Sequence, residues 1–492
     1  MVLSRKWIIL AGMGAGTFMT GLELFVIGMI LPQLVEDLET NLATAEWIAL
    51  GYSLMLNTMA LTVGKLGDLY KKNWLYVGGL SLFTIGSLAC GLASSMTLLI
   101  AFRMLQGLGA VFILGLETAI ITEVFPLHER GRAHGINNSM LVLGIATGPG
   151  IGGLLMSLGG WRLTFLINVP LGIIITLIVA LALRGYTSKD IPQKPFQQIN
   201  EEDKNKFDIL GALLVTATLT SFAMALTRIQ IYSLGEPIQI LLFILSVLGL
   251  LSFLMVESRV EKPIVDLSLF SIKEFSSNLL LSLMMFGMIA GVELILPIFL
   301  ELCTQFPLQE IGLMLTALAL FSAVPAPFAG IISDRFGNRV VNLVGILIIA
   351  VGCMSAIGLS KDSSMLDFLI RTVPIEIGLG IFIAPNINLI MNSVPENQLG
   401  IASGLRSLSR TLGMTTGVAL IGAIFTLSTL SGVGIGETLD VTQAPVSDLV
   451  HGVKITFTFM TAIALISIAI SLVTPNQQES SAIVPIRKIE KA

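Results

Sequence analysis

Residues 131–148 read GRAHGINNSMLVLGIATG and residues 400–417 read GIASGLRSLSRTLGMTTG. Glycines stand in the same register at Gly131, Gly135, Gly144 and Gly148 and at Gly400, Gly404, Gly413 and Gly417, and both segments end in LGxxTG. The copies lie 269 residues apart in a chain of 492. A second pair keeps nearly the same offset: GKLGDLYKKN at 64–73 and GIISDRFGNR at 330–339 share a glycine and an aspartate four residues later. Two related halves in one very apolar chain imply a transporter architecture, with a solute path between the halves.

The apolarity is a matter of composition. Hydrophobic residues make up 54%, charged residues 12%, and mean hydropathy is +0.89, whereas soluble domains carry about a quarter charged residues. Stretches of about 20 apolar residues, enough to cross a bilayer, run over 7–31, 45–64, 74–94, 97–124, 136–158, 164–184, 208–228, 238–256, 278–300, 309–332, 340–360, 367–391, 401–428 and 453–473. An all-α polytopic membrane protein with fourteen transmembrane helices is therefore expected. The first stretch follows Arg5 and Lys6 as a signal peptide would, but it is too long and holds Glu23, so it reads as a retained helix. With the N-terminus in the cytoplasm, twenty of the 28 lysines and arginines fall on the cytoplasmic side and four outside, namely Arg162, Arg228, Lys361 and Lys454. Both termini are expected to be cytoplasmic on this positive-inside asymmetry. The membrane is expected to be the plasma membrane, which is the inner membrane if the source is Gram-negative.

The aspartate loops join the second and third spans of each half, so spans one to six align with nine to fourteen. The expected layout is 6+2+6: an N-terminal half over 1–184, a cytoplasmic linker at 185–207, two extra helices over 208–256, a connector at 257–277, a C-terminal half over 278–473 and a tail from 474 to 492. No loop is long enough for a separate domain. The four tryptophans, Trp7, Trp47, Trp74 and Trp161, fall at span ends and read as interface anchors. Cys90, Cys303 and Cys353 are scattered and imply neither a disulfide framework nor a metal site, and no cofactor is expected. Net charge of −4 says little about partners. The expected partners are a small-molecule substrate, protons and the lipid bilayer, not nucleic acid; a periplasmic adaptor is left open.

Four segments carry a more specific likeness: LIAFRMLQGLGA at 99–110, GIATGPGIGG at 144–153, GWRLTFLINVPLG at 160–172 and EKPIVDLSLF at 261–270. Through them the chain resembles the major facilitator superfamily, and within it the fourteen-helix drug:proton antiporter family. The resemblance implies proton-driven export by alternating access, commonly of lipophilic drugs or metabolites. It also marks Gly144, Gly148, Pro149, Gly152 and Gly153 as an antiporter helix. The likeness has departures. The acid of the first helix, usually aspartate in a run resembling LDxTVVNVALP, is here Glu23 in LELFVIGMILP. In the first aspartate loop Leu69 and Lys71 replace an expected arginine and glycine, while the second keeps Asp334, Arg335, Gly337 and Arg339.

Intramembrane charges are the candidate site residues, because an ionised side chain at the bilayer centre costs about 2.5–3.5 kcal/mol on insertion scales. Glu23 and Arg103 sit at similar depth and are expected to pair. A carboxylate held between arginine and burial suits proton coupling; a static ion pair is the alternative. Glu117, fourteen residues after Arg103, returns to nearly the same helix face about 21 Å deeper and reads as a second proton site, a cation contact or a wetted polar residue. Glu293 and Glu376 are weaker substrate-binding candidates. Asp68 and Asp334 precede the third and eleventh spans, where each suits capping of the helix that follows. With Lys72, Arg335, Arg339 and Arg410 they form a candidate conformational switch, the second loop being the fuller and hence stronger. Arg406 and Arg410 suit either that latch or snorkelling to the interface. The glycine face of 144–153 is expected to approach the opposite half, its copy at Gly417 mattering less for want of a proline, since Val418 stands where Pro149 does. His128, His134 and His451 read as solvated bystanders.

The sequence thus predicts a proton-coupled antiporter exporting lipophilic or amphipathic molecules. A uniporter or importer with the same fold is the alternative among transporters. A membrane enzyme would need a nucleophile and base or metal ligands gathered at one interface, and no such cluster exists in the sequence; a non-transporting sensor or scaffold would need a docking domain.

Overall fold

A computed structural model describes residues 5–40, 42–45, 47–184, 208–231, 237–260, 263–304, 306–430 and 444–474. The expected linker at 185–207, residues 261–262 of the connector and residues 475–492 of the tail lie outside them. The described residues are overwhelmingly helical and contain no strand. Among the described residues, twelve helical stretches are long and apolar enough to cross a membrane.

The chain enters through α1 (Arg5–Asp37), turns through the short α2 (Leu42–Ala45), and returns along α3 (Trp47–Leu69). α4 (Lys72–Gly91), α5 (Met96–Val124), α6 (Arg130–Leu166) and α7 (Asn168–Leu183) follow. α1 packs on α6 and α7, α4 on α5 and α7, and α3 on α5, which makes one bundle. The long α6 passes Pro149 in helical conformation and breaks only at Gly159 and Gly160. Gly160 has φ +71°, a left-handed conformation that a side chain disfavours, so the glycine pair ends the fifth crossing and starts the sixth.

α8 (Ile209–Ile231) and α9 (Pro237–Glu257) pack on each other, and α8 also meets α3. α9 is almost wholly apolar and leaves Ile240, Leu241, Ile244, Leu245, Val247 and Leu248 exposed, as a helix facing lipid does. The second bundle holds α10 (Lys273–Ile298), α11 (Leu308–Ala323), α12 (Pro325–Phe336), α13 (Asn338–Ala356), α14 (Met365–Asn392), α15 (Leu399–Thr429) and α16 (Val446–Val473). α11 and α12 are one crossing interrupted at Val324, where Pro325 and Pro327 withdraw backbone donors. In this bundle α13 packs on α14 and α16, and α10 on α15.

The two bundles face each other through α3 against α15 and α6 against α11 and α12. We call the end that carries Arg5, Asp68 and Asp334 the near end. There the seam is apolar: Ala60, Leu61 and Ala119 of the first bundle belong to one cluster with the core of the second. Cys90, Cys303 and Cys353 are free and buried. Trp161 is no surface anchor; it is buried and its indole N–H donates to Asp37 Oδ2 at 2.9 Å.

Candidate functional site

Helix periodicity turns Glu23 of α1 and Arg103 of α5 inward at the same depth, and both are buried. Arg103 Nη1 donates to Glu23 Oε2, and Nη2 reaches the Glu23 carbonyl at 3.3 Å. The other carboxylate oxygen accepts from Asn168 Nδ2 at the start of α7. Arg103 is itself fixed: Nη1 also donates to Gln106 Oε1 at 2.7 Å, Nε to the Ile48 carbonyl at 3.3 Å, and Gln106 Nε2 donates to Ser87 Oγ at 2.7 Å. The guanidinium lies 4.6 Å from the ring centre of Tyr52, near enough for a cation–π contact. Thus α5 and α7 hold the carboxylate of α1, while α3 and α4 hold the arginine and its glutamine.

Glu117 is buried as well, and so is not the wetted residue considered from sequence. Its Oε2 accepts from Thr17 Oγ1 at 2.5 Å and Asn137 Nδ2 at 3.0 Å, while Arg406 of the other bundle stands 4.0 Å from Oε1. Arg406 Nη1 donates to Thr118 Oγ1 at 2.8 Å. Arg406 and Arg410 are therefore neither snorkelling nor part of a latch around Asp334; both are buried where α15 crosses α5 and α3. Their spacing of four residues sets them on one face of α15, pointed into the seam. His134 is buried too, with its ring 3.2 Å from Thr122 Oγ1.

The aspartates do not cap the helices that follow them in sequence. Asp68 Oδ1 accepts from Gly400 N at 2.6 Å and its Oδ2 from Ile401 N at 2.7 Å, so it caps α15 of the opposite bundle. Asp334 accepts from Gly131 N at 2.9 Å and Arg132 N at 3.1 Å and caps α6. The two repeats quoted at the outset therefore meet crosswise, each acid on the other half's helix N-terminus, where unpaired amides and the helix dipole favour negative charge. Lys72 stands 3.6 Å from Asp68 and 2.8 Å from Glu123, and all three lie at the same junction. Around Asp334 the basic residues are spent elsewhere, Arg339 donating to the Leu472 carbonyl and Arg335 lying over the ring of Phe336. The first latch, which the sequence marks as the weaker, is the shorter and more buried of the two.

Glycine spacing divides each repeat. A Cβ on Gly131 would stand 2.5 Å from the Gly330 carbonyl, and one on Gly400 would stand 2.5 Å from that of Gly64, so the first glycines let the bundles touch. The later ones serve their own bundle. A Cβ on Gly144 would stand 2.3 Å from the Phe18 carbonyl of α1, and one on Gly417 would stand 2.1 Å from that of Gly287 in α10. The expected approach of the 144–153 face to the opposite half is thus corrected: Gly144 and Gly152 pack on α1, and a Cβ on Gly153 would meet nothing within 4 Å among the described residues. Gly148 is buried in the same helix.

Glu293 of α10 is exposed and Glu376 of α14 is buried; they lie near enough for their charges to interact. Thr17, Tyr52, Gln106, Asn137 and Asn168 escaped the sequence reading, because a single uncharged polar residue in an apolar span carries no pattern. No group of three or more His, Cys, Asp or Glu side chains among the described residues suits a metal ion.

Comparison with known proteins places these features. The chain is 28% identical over 429 residues to the riboflavin transporter RibZ of Clostridioides difficile (strain 630), covering 87% of this chain and 90% of that one. It is 28% identical over 412 residues to the multidrug resistance protein Stp of Mycobacterium tuberculosis (strain CDC 1551 / Oshkosh), covering 84% and 74%. The crystal structure of the human organic anion transporter MFSD10 (TETRAN) superposes with a TM-score of 0.65 at 14% identity, covering 95% of this chain and 99% of that one, a likeness of fold alone. Relatives named for multidrug resistance support a drug:proton-antiporter type of family. Since the model of the Major Facilitator Superfamily matches residues 13–300 and 279–491, nearly the full length, the chain belongs to that superfamily.

Proposed function

We propose that the protein is a proton-coupled antiporter that exports lipophilic or amphipathic small molecules by alternating access. The observation that carries this reading is Glu23: a carboxylate buried at mid-membrane depth whose oxygens are held by Arg103 and Asn168. Burial favours the protonated acid and the guanidinium favours the ionised one, so the proton on this residue is set by how closely Arg103 approaches. A movement of α5 against α1 exchanges the two states. Substrate that binds when Glu23 is ionised on one side, and leaves when it is protonated from the other, exchanges with the proton. Glu117, set against Arg406 of the second bundle, is a second coupling position.

The crosswise latches of Asp68 and Asp334 hold the near end shut in one state and release in the other, with the first bundle and the second as the moving halves. On the loop charges the near end is cytoplasmic and the membrane is the plasma membrane. The names of relatives that resist or export drugs favour efflux. The name of the riboflavin transporter favours a second reading, a uniporter or importer of a small metabolite with the same fold.

Reconstituted vesicles separate the two. Imposing a pH gradient should drive accumulation of a dye substrate by wild type, and adding substrate should release protons. Glu23→Gln should lose gradient-driven accumulation by about tenfold or more while keeping substrate counterflow. Undiminished accumulation by Glu23→Gln, or wild-type flux indifferent to the gradient, would rule out the coupled mechanism.

A further inference from the structure

Counting charge along the seam exposes an imbalance. Arg103 is matched by Glu23, and Arg406 by Glu117, with Nη1 to carboxylate oxygen at 4.0 Å. Arg410, 4% exposed, has no carboxylate of its own, and its Nη1 is buried without a hydrogen-bond partner among the described residues. Its electrostatic neighbours are Glu117, already engaged by Thr17, Asn137 and Arg406, and the phenol of Tyr52. The Tyr52 hydroxyl, 1% exposed, is likewise buried without a partner. Asn57 Nδ2 ties the same stretch of α3 to Thr415 at 3.4 Å.

A guanidinium taken out of water with no counter-charge is strongly destabilising, so buried arginines are ordinarily paired. The exception here has as a charge neighbour, on the α3 side of the α3–α15 crossing, a hydroxyl that is also unsatisfied. Two donors left open at one place accept an anion: the planar fork of arginine matches a carboxylate or phosphate bidentately, and the phenol adds a third bond. The place suits a transported group. Arg410 is eleven residues into α15, about 16 Å from its near-end start, half the thickness of a bilayer core of about 30 Å. It lies between α15 of one bundle and α3 of the other, so parting of the bundles opens it.

We propose that Arg410 and the Tyr52 hydroxyl form an anion-recognition point at the seam, and that the transported solutes are amphipathic organic anions, carboxylates foremost. This rests on the transporter reading above and names its substrate class. Arg406 and Glu117 set the field around the point: Glu117 neutralises Arg406, and the second cation is left for the solute. Tyr52, whose ring lies against Arg103, links the occupied site to the arginine that holds Glu23.

The test is binding to the purified full-length protein, which requires no proton coupling. 1-Naphthaleneacetate should raise the thermal unfolding midpoint in detergent and bind saturably by calorimetry, and the neutral 1-naphthaleneacetamide should do neither. Arg410→Gln should weaken naphthaleneacetate binding about ten- to a hundredfold, the loss of a hydrogen-bonded charge. Tyr52→Phe should weaken it less, and Arg410→Lys should retain part of it, which also controls for folding. Equal binding of acid and amide, equal affinity in wild type and Arg410→Gln, or no binding of the acid would overturn the proposal. An anionic phospholipid held by wild type, lost in Arg410→Gln by native mass spectrometry and not displaced by naphthaleneacetate would also overturn it, by assigning the site to a headgroup. If binding behaves as expected while vesicles show no proton exchange, antiport fails and the anion site stands.

Discussion

Glu23 and Arg103 were legible because charge in an apolar span is rare and because depth is readable from the residues that end each helix. What the sequence could not display is the support. Gln106 and Ser87 position the guanidinium, and Asn168 holds the second carboxylate oxygen, yet each is an ordinary polar residue in a run of apolar ones. The support makes a stability prediction. Removing one partner of a buried pair leaves the other charge stranded and costs about 3–5 kcal/mol, whereas removing both leaves much less to satisfy. Arg103→Met should therefore lower the unfolding midpoint markedly, and adding Glu23→Gln should recover most of the loss. Additive losses in the double variant, measured by thermal unfolding in detergent, would mean that the pair is not energetically coupled. Arg410 makes the same point in reverse: the sequence places it at a helix start near the interface, but the close crossing of α15 on α3 buries it.

At the scale of elements, the repeats were visible as glycine and aspartate spacing, but their pairing was not. A carboxylate ahead of a helix caps that helix unless another helix N-terminus comes nearer in space, and only the packed bundles show that α15 begins beside Asp68 and α6 beside Asp334. Hydrogen bonds from backbone amides to a carboxylate are worth about 1.5–3 kcal/mol. Asp68 makes the shorter pair and is the less exposed, so Asp68→Asn should open the near end more than Asp334→Asn does. On a background without Cys90, Cys303 and Cys353, a cysteine at Ser139, whose Oγ now donates to the Ala323 carbonyl across the seam at 2.7 Å, reports that opening by its maleimide labelling rate. Faster labelling in Asp334→Asn than in Asp68→Asn would reverse the order. The glycines should divide in the same way. Gly404→Leu, facing the Ala60 carbonyl across the seam, should raise labelling in a protein that still folds; Gly417→Leu, against Gly287 inside one bundle, should lower the unfolding midpoint. A Gly417→Leu protein as stable as wild type would contradict the packing of α10 on α15.

For the whole molecule, the cross-bundle hydrogen bonds gather toward the near end: Asp68 to α15, Asp334 to α6, Ser139 to Ala323, Arg130 to Asn392 and Arg406 to Thr118. Asn57 to Thr415, at 3.4 Å, is the one set deepest along α3 from that end. These bonds, with the apolar contact around Ala60 and Ala119, close the near end as one surface. If transport requires the bundles to part there, a covalent tie at any point of the surface stops it. The pair Asn57→Cys and Thr415→Cys, joined by a short bismaleimide or by oxidation, should abolish counterflow as well as gradient-driven flux, because both need the near end to open. Reduction of the disulfide form should restore them. A control pair inside the second bundle, Asn338→Cys with Asn388→Cys, joins side chains that meet at 3.0 Å without crossing the seam, and its crosslinking should leave more transport than the seam pair does. Full counterflow through the oxidised Asn57→Cys, Thr415→Cys protein, at complete crosslinking by gel shift, would show that solute passes without separation of α3 from α15.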